Sequence, residues 1–176
     1  MSARFALSPR GHLVKRLILP AAVAGTALTV AVAGALAATP AKAKPVAFVG
    51  TYSGTAVTNA NGTTVAITAN GTGTGTMIGA GKITGTGTGD TSQQPCVPFT
   101  GVGKMSGAGG TIIFKVVPGS SGCGDQDGVN FTISGKATVL KATGKLLKRK
   151  GTLRLTGTYD RSSGAFTAKF RGSLVK

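Results

Sequence analysis

The sequence predicts an all-β protein, with about eight antiparallel strands closed into an up-and-down barrel; a two-sheet sandwich is the alternative. Three observations carry this. Apolar and polar residues alternate with a period of two through most of the chain after residue 44, the mark of strands with one buried and one wet face. Helical periodicity is almost absent. Turn signals separate the alternating segments at hairpin spacing. Eight hairpin-connected strands can close on themselves, which removes exposed edges.

The chain opens differently. Arg4, Arg10, Lys15 and Arg16 precede an apolar run from Leu17 to about Ala38, followed by Ala41-Lys42-Ala43. A basic segment, an apolar segment and an A-x-A site together predict a secretory signal peptide over residues 1–43. The run is long enough to span a bilayer as a retained anchor. Pro20, the many small residues and the adjacent A-x-A site favour cleavage near Ala43 instead. The expected product is secreted and extracellular, a single barrel domain over residues 44–176.

Its first two strands, 46–58 and 63–76, flank the turn Asn59-Ala60-Asn61-Gly62. The next region reads NGTGTGTMIGAGKITGTGTGD over residues 70–90. It is not a phosphate-binding loop. A P-loop needs Gly where Thr76 stands and Ser or Thr where Ile83 follows Gly81-Lys82, and no G-x-G-x-x-G register is complete. A flexible linker is possible for such a composition. Its strict alternation argues for strands instead. Gly71, Gly73, Gly75 and Met77 share one face, and Thr72, Thr74, Thr76 and Ile78 the other. Threonine favours strands, and one-sided glycines permit curvature or close approach of another element. The alternation continues past Gly79-Ala80-Gly81 into a third strand over 81–88, so the tract reads as a hairpin with a glycine inner face.

Strands at 99–105 and 111–117 flank Gly107-Ala108-Gly109-Gly110. The stretch 129–140 places Val129, Phe131, Ile133, Ala137 and Val139 on one face, with Lys136 among the polar residues on the other. In 152–159, Leu153, Leu155 and Tyr159 oppose Arg154. In 165–174, Phe166, Ala168, Phe170 and Leu174 oppose Lys169 and Arg171. Two irregular stretches remain, Gly89–Pro98 and Pro118–Gly128, and each holds one of the two cysteines of the chain. In an exported protein, Cys96 and Cys123 are expected to form a disulfide that pins these stretches together, worth roughly 3–4 kcal/mol in the chain-entropy picture.

The glycine–threonine tract, then Lys141-Ala142-Thr143-Gly144-Lys145-Leu146, then Gly151-Thr152-Leu153-Arg154-Leu155-Thr156-Gly157-Thr158-Tyr159-Asp160, resembles exported bacterial β-barrel proteins of unassigned role that are similar to the allene-oxide-cyclase and dirigent barrel group. Members read G-T-G-x-F/L ahead of a G-x-L-x-x-x-G-T strand, a tight turn and a final strand. The resemblance covers most of residues 44–176 and implies an eight-stranded barrel. It does not carry an activity over. The cyclase and dirigent chemistries are associated with acids in the cavity, whereas this chain has no Glu and its four Asp fall in expected loops or turns.

Residues 44–176 also lack His, which removes the imidazole base of Ser-His-Asp and Cys-His catalysis. Sugar hydrolysis would need two converging carboxylates. The reading therefore leans away from an enzyme, and no cofactor is implied. Asp125-Gln126-Asp127-Gly128 has part of a calcium-loop pattern, making Asp125 and Asp127 weak ligand candidates. Val129 stands where a third oxygen ligand belongs and Lys136 where the bidentate Glu belongs. The matches to N-x-T at Asn61, Asn70 and Asn130 follow from abundant threonine.

Charge is the positive lead. The signal segment takes five of the 20 Lys and Arg, leaving fifteen against four Asp, a net charge of +11. Eleven of these bases follow residue 135. Lys136, Lys148, Arg149, Lys150, Arg154, Lys169 and Arg171 are candidates for one polyanion-binding face, with an anionic cell-wall polymer or a membrane surface as partner. The bland reading is a charged, soluble exterior. Specific nucleic-acid binding is not expected, because the aromatics fall on the apolar faces and leave no stacking platform. The class read from sequence is a secreted, non-enzymatic barrel with a basic C-terminal face; a small-molecule carrier or a cyclase-like enzyme using the interior is the alternative.

Overall fold

The computed structural model describes residues 44–176, so the expected signal segment and its cleavage site lie outside the described residues. The fold is all-β. In chain order the strands are β1 (Val46–Asn61), β2 (Thr64–Gly75), β3 (Gly79–Asp90), β4 (Cys96–Gly107), β5 (Gly110–Val116), β6 (Ser121–Gly124), β7 (Asn130–Ala142), β8 (Thr152–Asp160) and β9 (Ala165–Leu174). Every pairing is antiparallel. Eight strands close a ring in which β1 meets both β2 and β9, and β3 meets β4. The short β6 is additional to that ring. It pairs with β4 and β7, the same two neighbours as β5.

The register sets the shape. Followed once around the ring, it leads from Thr58 through Ile67, Gly87, Gly101, Val116, Ala137, Leu153 and Gly172 back to Phe48. That is ten residues down the strand on which it began. A stagger of this size in eight strands corresponds to a tilt of about 40°. The interior of such a barrel is wide enough to be filled by large side chains or to hold one small ligand.

Alternation fills one end. Phe48, Tyr52, Met105, Ile112, Leu153 and Leu174 point inward and are almost wholly buried. Ile78, from the β2–β3 turn, and Leu146, from a 3-10 turn at Gly144–Leu146 between β7 and β8, plug the same end. This is the floor. Each large side chain buried here contributes about 1.5–3 kcal/mol. The ring of Phe170 lies 5.1 Å from that of Phe114 and 6.3 Å from that of Tyr52, forming a layer above the floor. Toward the other end the inward residues Val65, Ile67, Phe99, Phe131, Ile133 and Tyr159 are only partly buried. That end is the mouth.

Three local expectations are corrected. The β2–β3 turn lies at Thr76–Ile78, with Met77 in the left-handed region at φ 66°, and β3 begins at Gly79 rather than at Gly81. Ile78 therefore leaves the outer face and enters the floor, where burial outweighs the local alternation. The stretch Pro118–Gly128 is not wholly irregular, because it contains β6. Likewise β3 and β4 extend into Gly89–Pro98, leaving a 3-10 turn at Thr91–Gln93.

β5 and β6 are separated by Val117–Ser120. Ser120 Oγ donates to the Val117 carbonyl at 2.8 Å and accepts from the Lys136 backbone N–H at 3.2 Å. The hydroxyl thus satisfies backbone groups that the interrupted wall would leave open. Gly135 makes room for it, since a Cβ there would overlap Ser120. Past this interruption, Cys96 and Cys123 are direct cross-strand partners and form the expected disulfide near the mouth.

Candidate functional site

The mouth half of the barrel encloses a cavity of about 480 Å³, within the usual range for small-molecule sites. Its walls are apolar. Ala56, Val65, Ile67 and Ala69 line it from β1 and β2; Ile83, Val97 and Phe99 from β3 and β4; Phe114, Val116, Phe131, Ile133, Leu155, Phe166 and Phe170 from the rest of the ring. Thr58, Thr91 and Gln94 add polar groups, and Tyr159 places its ring in the wall. Arg161, exposed at the rim, is the one charged residue among those lining it.

The cavity exists because of where the glycines fall. Threonines of the glycine–threonine tract face solvent and its glycines face inward. In the lower barrel, aromatic rings occupy the space they leave. A Cβ on Gly73 would come within 2.7 Å of Tyr52 Cδ1, and one on Gly75 within 2.9 Å of Tyr52 Oη and 3.2 Å of Phe48 Cζ. Higher up, Gly85 pairs with Gly103 and Gly87 with Gly101 across β3 and β4. Phe114 lies against Gly103, while no side chain covers Gly85 or Gly87, and both border the cavity. Gly122 of β6 also borders it, and a Cβ there would meet nothing closer than Phe131 Cδ1 at 3.9 Å.

Among the described residues no carboxylate belongs to the lining. Asp160 accepts from the backbone N–H and hydroxyl groups of Ser162 and Ser163 in the β8–β9 turn. Those bonds hold its carboxyl down at about 2. Ser92 holds Asp90 below the ordinary carboxylate range. The side chain of Asn130, with backbone N–H groups around it, does the same for Asp125. Both Asp125 oxygens are occupied by these contacts, and Asp127 is exposed beside it. Among the described residues no three His, Cys, Asp or Glu side chains gather as a metal site. Tyr52 is raised above its ordinary pKa by burial in the floor, below the cavity.

No family model matches the chain, and no curated protein matches it.

The basic candidates are brought together in part. Lys136, Arg154 and Arg171 form one row across β7, β8 and β9, with Lys136 opposite Arg154 and Arg154 opposite Arg171. Lys169 lies on the same outer wall, opposite Thr156, and all four are exposed. Lys148 and Lys150 are exposed on the β7–β8 connection beneath the floor. Arg149 is different. It is half-buried, and its Nη1 donates to the carbonyls of Leu174 at 3.2 Å and Lys44 at 3.3 Å. It braces the two ends of the described chain. Sequence reasoning missed the individual cavity residues. The inward glycines were the available signal, but which of them lie under an aromatic ring depends on the register between strands.

Proposed function

We propose that this protein is a secreted, non-catalytic carrier that holds one apolar small molecule in the mouth half of its barrel. The cavity of about 480 Å³, with its apolar wall and polar rim, is the observation that supports the reading. Export is supported by the features of residues 1–43 and by the Cys96–Cys123 disulfide. Kinship with the allene-oxide-cyclase and dirigent barrels belongs to the same proposal, supported by the ring of eight antiparallel strands. Cyclase-type chemistry is the weaker use of the interior, because among the described residues neither a carboxylate nor an imidazole lines it. General acid–base catalysis needs such a group within hydrogen-bond reach of the reacting atoms.

The test is titration with a neutral, environment-sensitive apolar dye, for the protein and for Gly122→Leu. The leucine enters open space, so the fold is retained while the cavity fills. Saturable binding at one dye per barrel, weakened at least tenfold by Gly122→Leu, is expected. Binding that Gly122→Leu leaves unchanged would place the dye elsewhere and end the carrier reading.

A second reading is favoured by a separate observation. The Lys136–Arg154–Arg171 row is a concentrated cationic feature on the outer wall, suited to association with an anionic envelope polymer or surface.

A further inference from the structure

The barrel sorts its charges along its axis. Asp90 and Asp160 end their strands at the mouth, and Asp125 and Asp127 lie in the β6–β7 loop at the same end, with Arg161 as the one base among them. The other bases among the described residues lie lower. Lys82, Lys104, Lys115, Lys136, Arg154 and Arg171 stand on six consecutive strands of the ring, all on the outer wall, from mid-strand downward. Lys104 and Lys82 are diagonal neighbours, since Lys82 faces Ser106; Lys115 continues the line, since it faces Val102 and Thr138. The cationic feature is thus a girdle and not only a C-terminal face. Below it, Lys44, Lys145, Lys148, Lys150 and Lys176 are exposed around the closed end.

Apolar side chains are exposed at that same end. Leu147 is 53 % exposed, Leu140 50 %, Val175 44 % and Val49 43 %. Lys150 and Val175 exchange backbone hydrogen bonds of 2.8 and 2.9 Å, which holds a cation and an apolar side chain on adjacent segments of the chain. Val49 is the cross-strand partner of Arg171. A soluble polyanion uses only the cations of such a surface. An anionic bilayer uses both kinds of group, with headgroups pairing the lysines while the leucines and valines enter the interface.

We propose that the closed end of the barrel docks on an anionic lipid bilayer, with the mouth turned away. This rests on the reading of the basic wall as an anionic-surface binder and commits it to one source, one orientation and a set of apolar contacts. The acidic mouth is repelled by the same surface, so the charge layout selects the orientation as well as the affinity.

The secreted form starting near Lys44 is sedimented with vesicles of phosphatidylcholine alone and of phosphatidylcholine with phosphatidylglycerol. A soluble anionic polysaccharide is titrated in parallel. The proposal expects salt-sensitive binding to the phosphatidylglycerol vesicles only. The variant Lys145→Ser/Lys148→Asn/Lys150→Thr should weaken it roughly 100-fold, from the surface attraction of three cations. Leu140→Thr/Leu147→Asn should weaken vesicle binding while leaving polysaccharide binding unchanged. Orientation is read with single Trp reporters, since the chain has none: bromine-labelled lipid should quench Leu147→Trp and spare Ala60→Trp. Polysaccharide binding without vesicle binding would overturn docking and leave the anionic-surface reading standing. Binding to neither would remove both. Vesicle binding that is indifferent to the two leucines, or quenching at Ala60→Trp, would also overturn the proposal.

Discussion

Lys136 of β7 and Arg154 of β8 are direct cross-strand partners with both side chains on the outer wall, and Arg171 of β9 continues their row. Like charges placed directly opposite destabilise a sheet. The aspartates that could compensate sit at the mouth, where Asp90, Asp125 and Asp160 bond to their own turns. The row therefore costs stability that salt recovers by screening. Arg154→Thr should raise Tm at low ionic strength by roughly 1–3 °C, and the gain should shrink as salt is added. Thermal melts of both proteins over a salt series check this; a lower Tm for Arg154→Thr at low salt would contradict it.

The inward glycines differ in what a methyl would meet. At Gly73 a Cβ overlaps the Thr51 carbonyl and crowds the Tyr52 ring, whereas at Gly122 it enters the cavity. Gly73→Ala should cost about 1–3 kcal/mol in overpacking, and Gly122→Ala should stay within about 0.5 kcal/mol. Urea unfolding of the two variants separates them. Equal costs would mean that the inward glycines of floor and mouth do not differ as described above.

The disulfide anchors the weakest part of the wall. β6 has only three register pairs with β4 and four with β7. Reduction should cost roughly 3–4 kcal/mol if chain entropy governs. It should release β6 first, with amide exchange rising at Gly122 and Cys123 before Ile112 or Leu153 in the floor. Hydrogen exchange after reduction checks the order, and unchanged protection at β6 would refute it.

Acid should destabilise the mouth. Asp160 falls from its ordinary 3.8 to about 2 on folding, so between those values the folded state binds fewer protons than the unfolded state. Its stabilisation is complete above the higher value and is lost as pH falls through the lower. Asp90 and Asp125 shift in the same direction. Tm should therefore drop between about pH 4 and pH 2, and Asp160→Asn should reduce that drop while lowering stability at neutral pH. An unchanged pH profile in Asp160→Asn would show that the turn is not the sensor.

Much of the fold was legible because alternation is local. It placed Lys136, Arg154, Lys169 and Arg171 outside, and Phe166, Ala168 and Phe170 inside. Features set by distant neighbours were not. Ile78 is drawn into the floor by the burial it gains there, and a Met-Ile turn carries none of the usual turn chemistry. Ser121–Gly124 has weak strand propensity and pairs because β4 and β7 flank it, with Cys123 tied to Cys96. Gly75 and Gly85 look alike in sequence, yet Tyr52 and Phe48 cover the first and the cavity opens beside the second. Lys82, Lys104 and Lys115 join the girdle only through the register around the ring. Arg149 read as one more cation; its bonds to the Leu174 and Lys44 carbonyls require the two ends of the described residues to meet.

The most direct test of the carrier account is methyl NMR of the protein titrated with a neutral apolar ligand small enough for the cavity. The account predicts saturable shifts at the cavity methyls of Val65, Ile67, Ile133 and Leu155, with little change at Ile78, Leu146 and Leu174 in the floor. Shifts confined to outward methyls such as Val57, Leu140 and Leu147, with the cavity set unmoved, would contradict it.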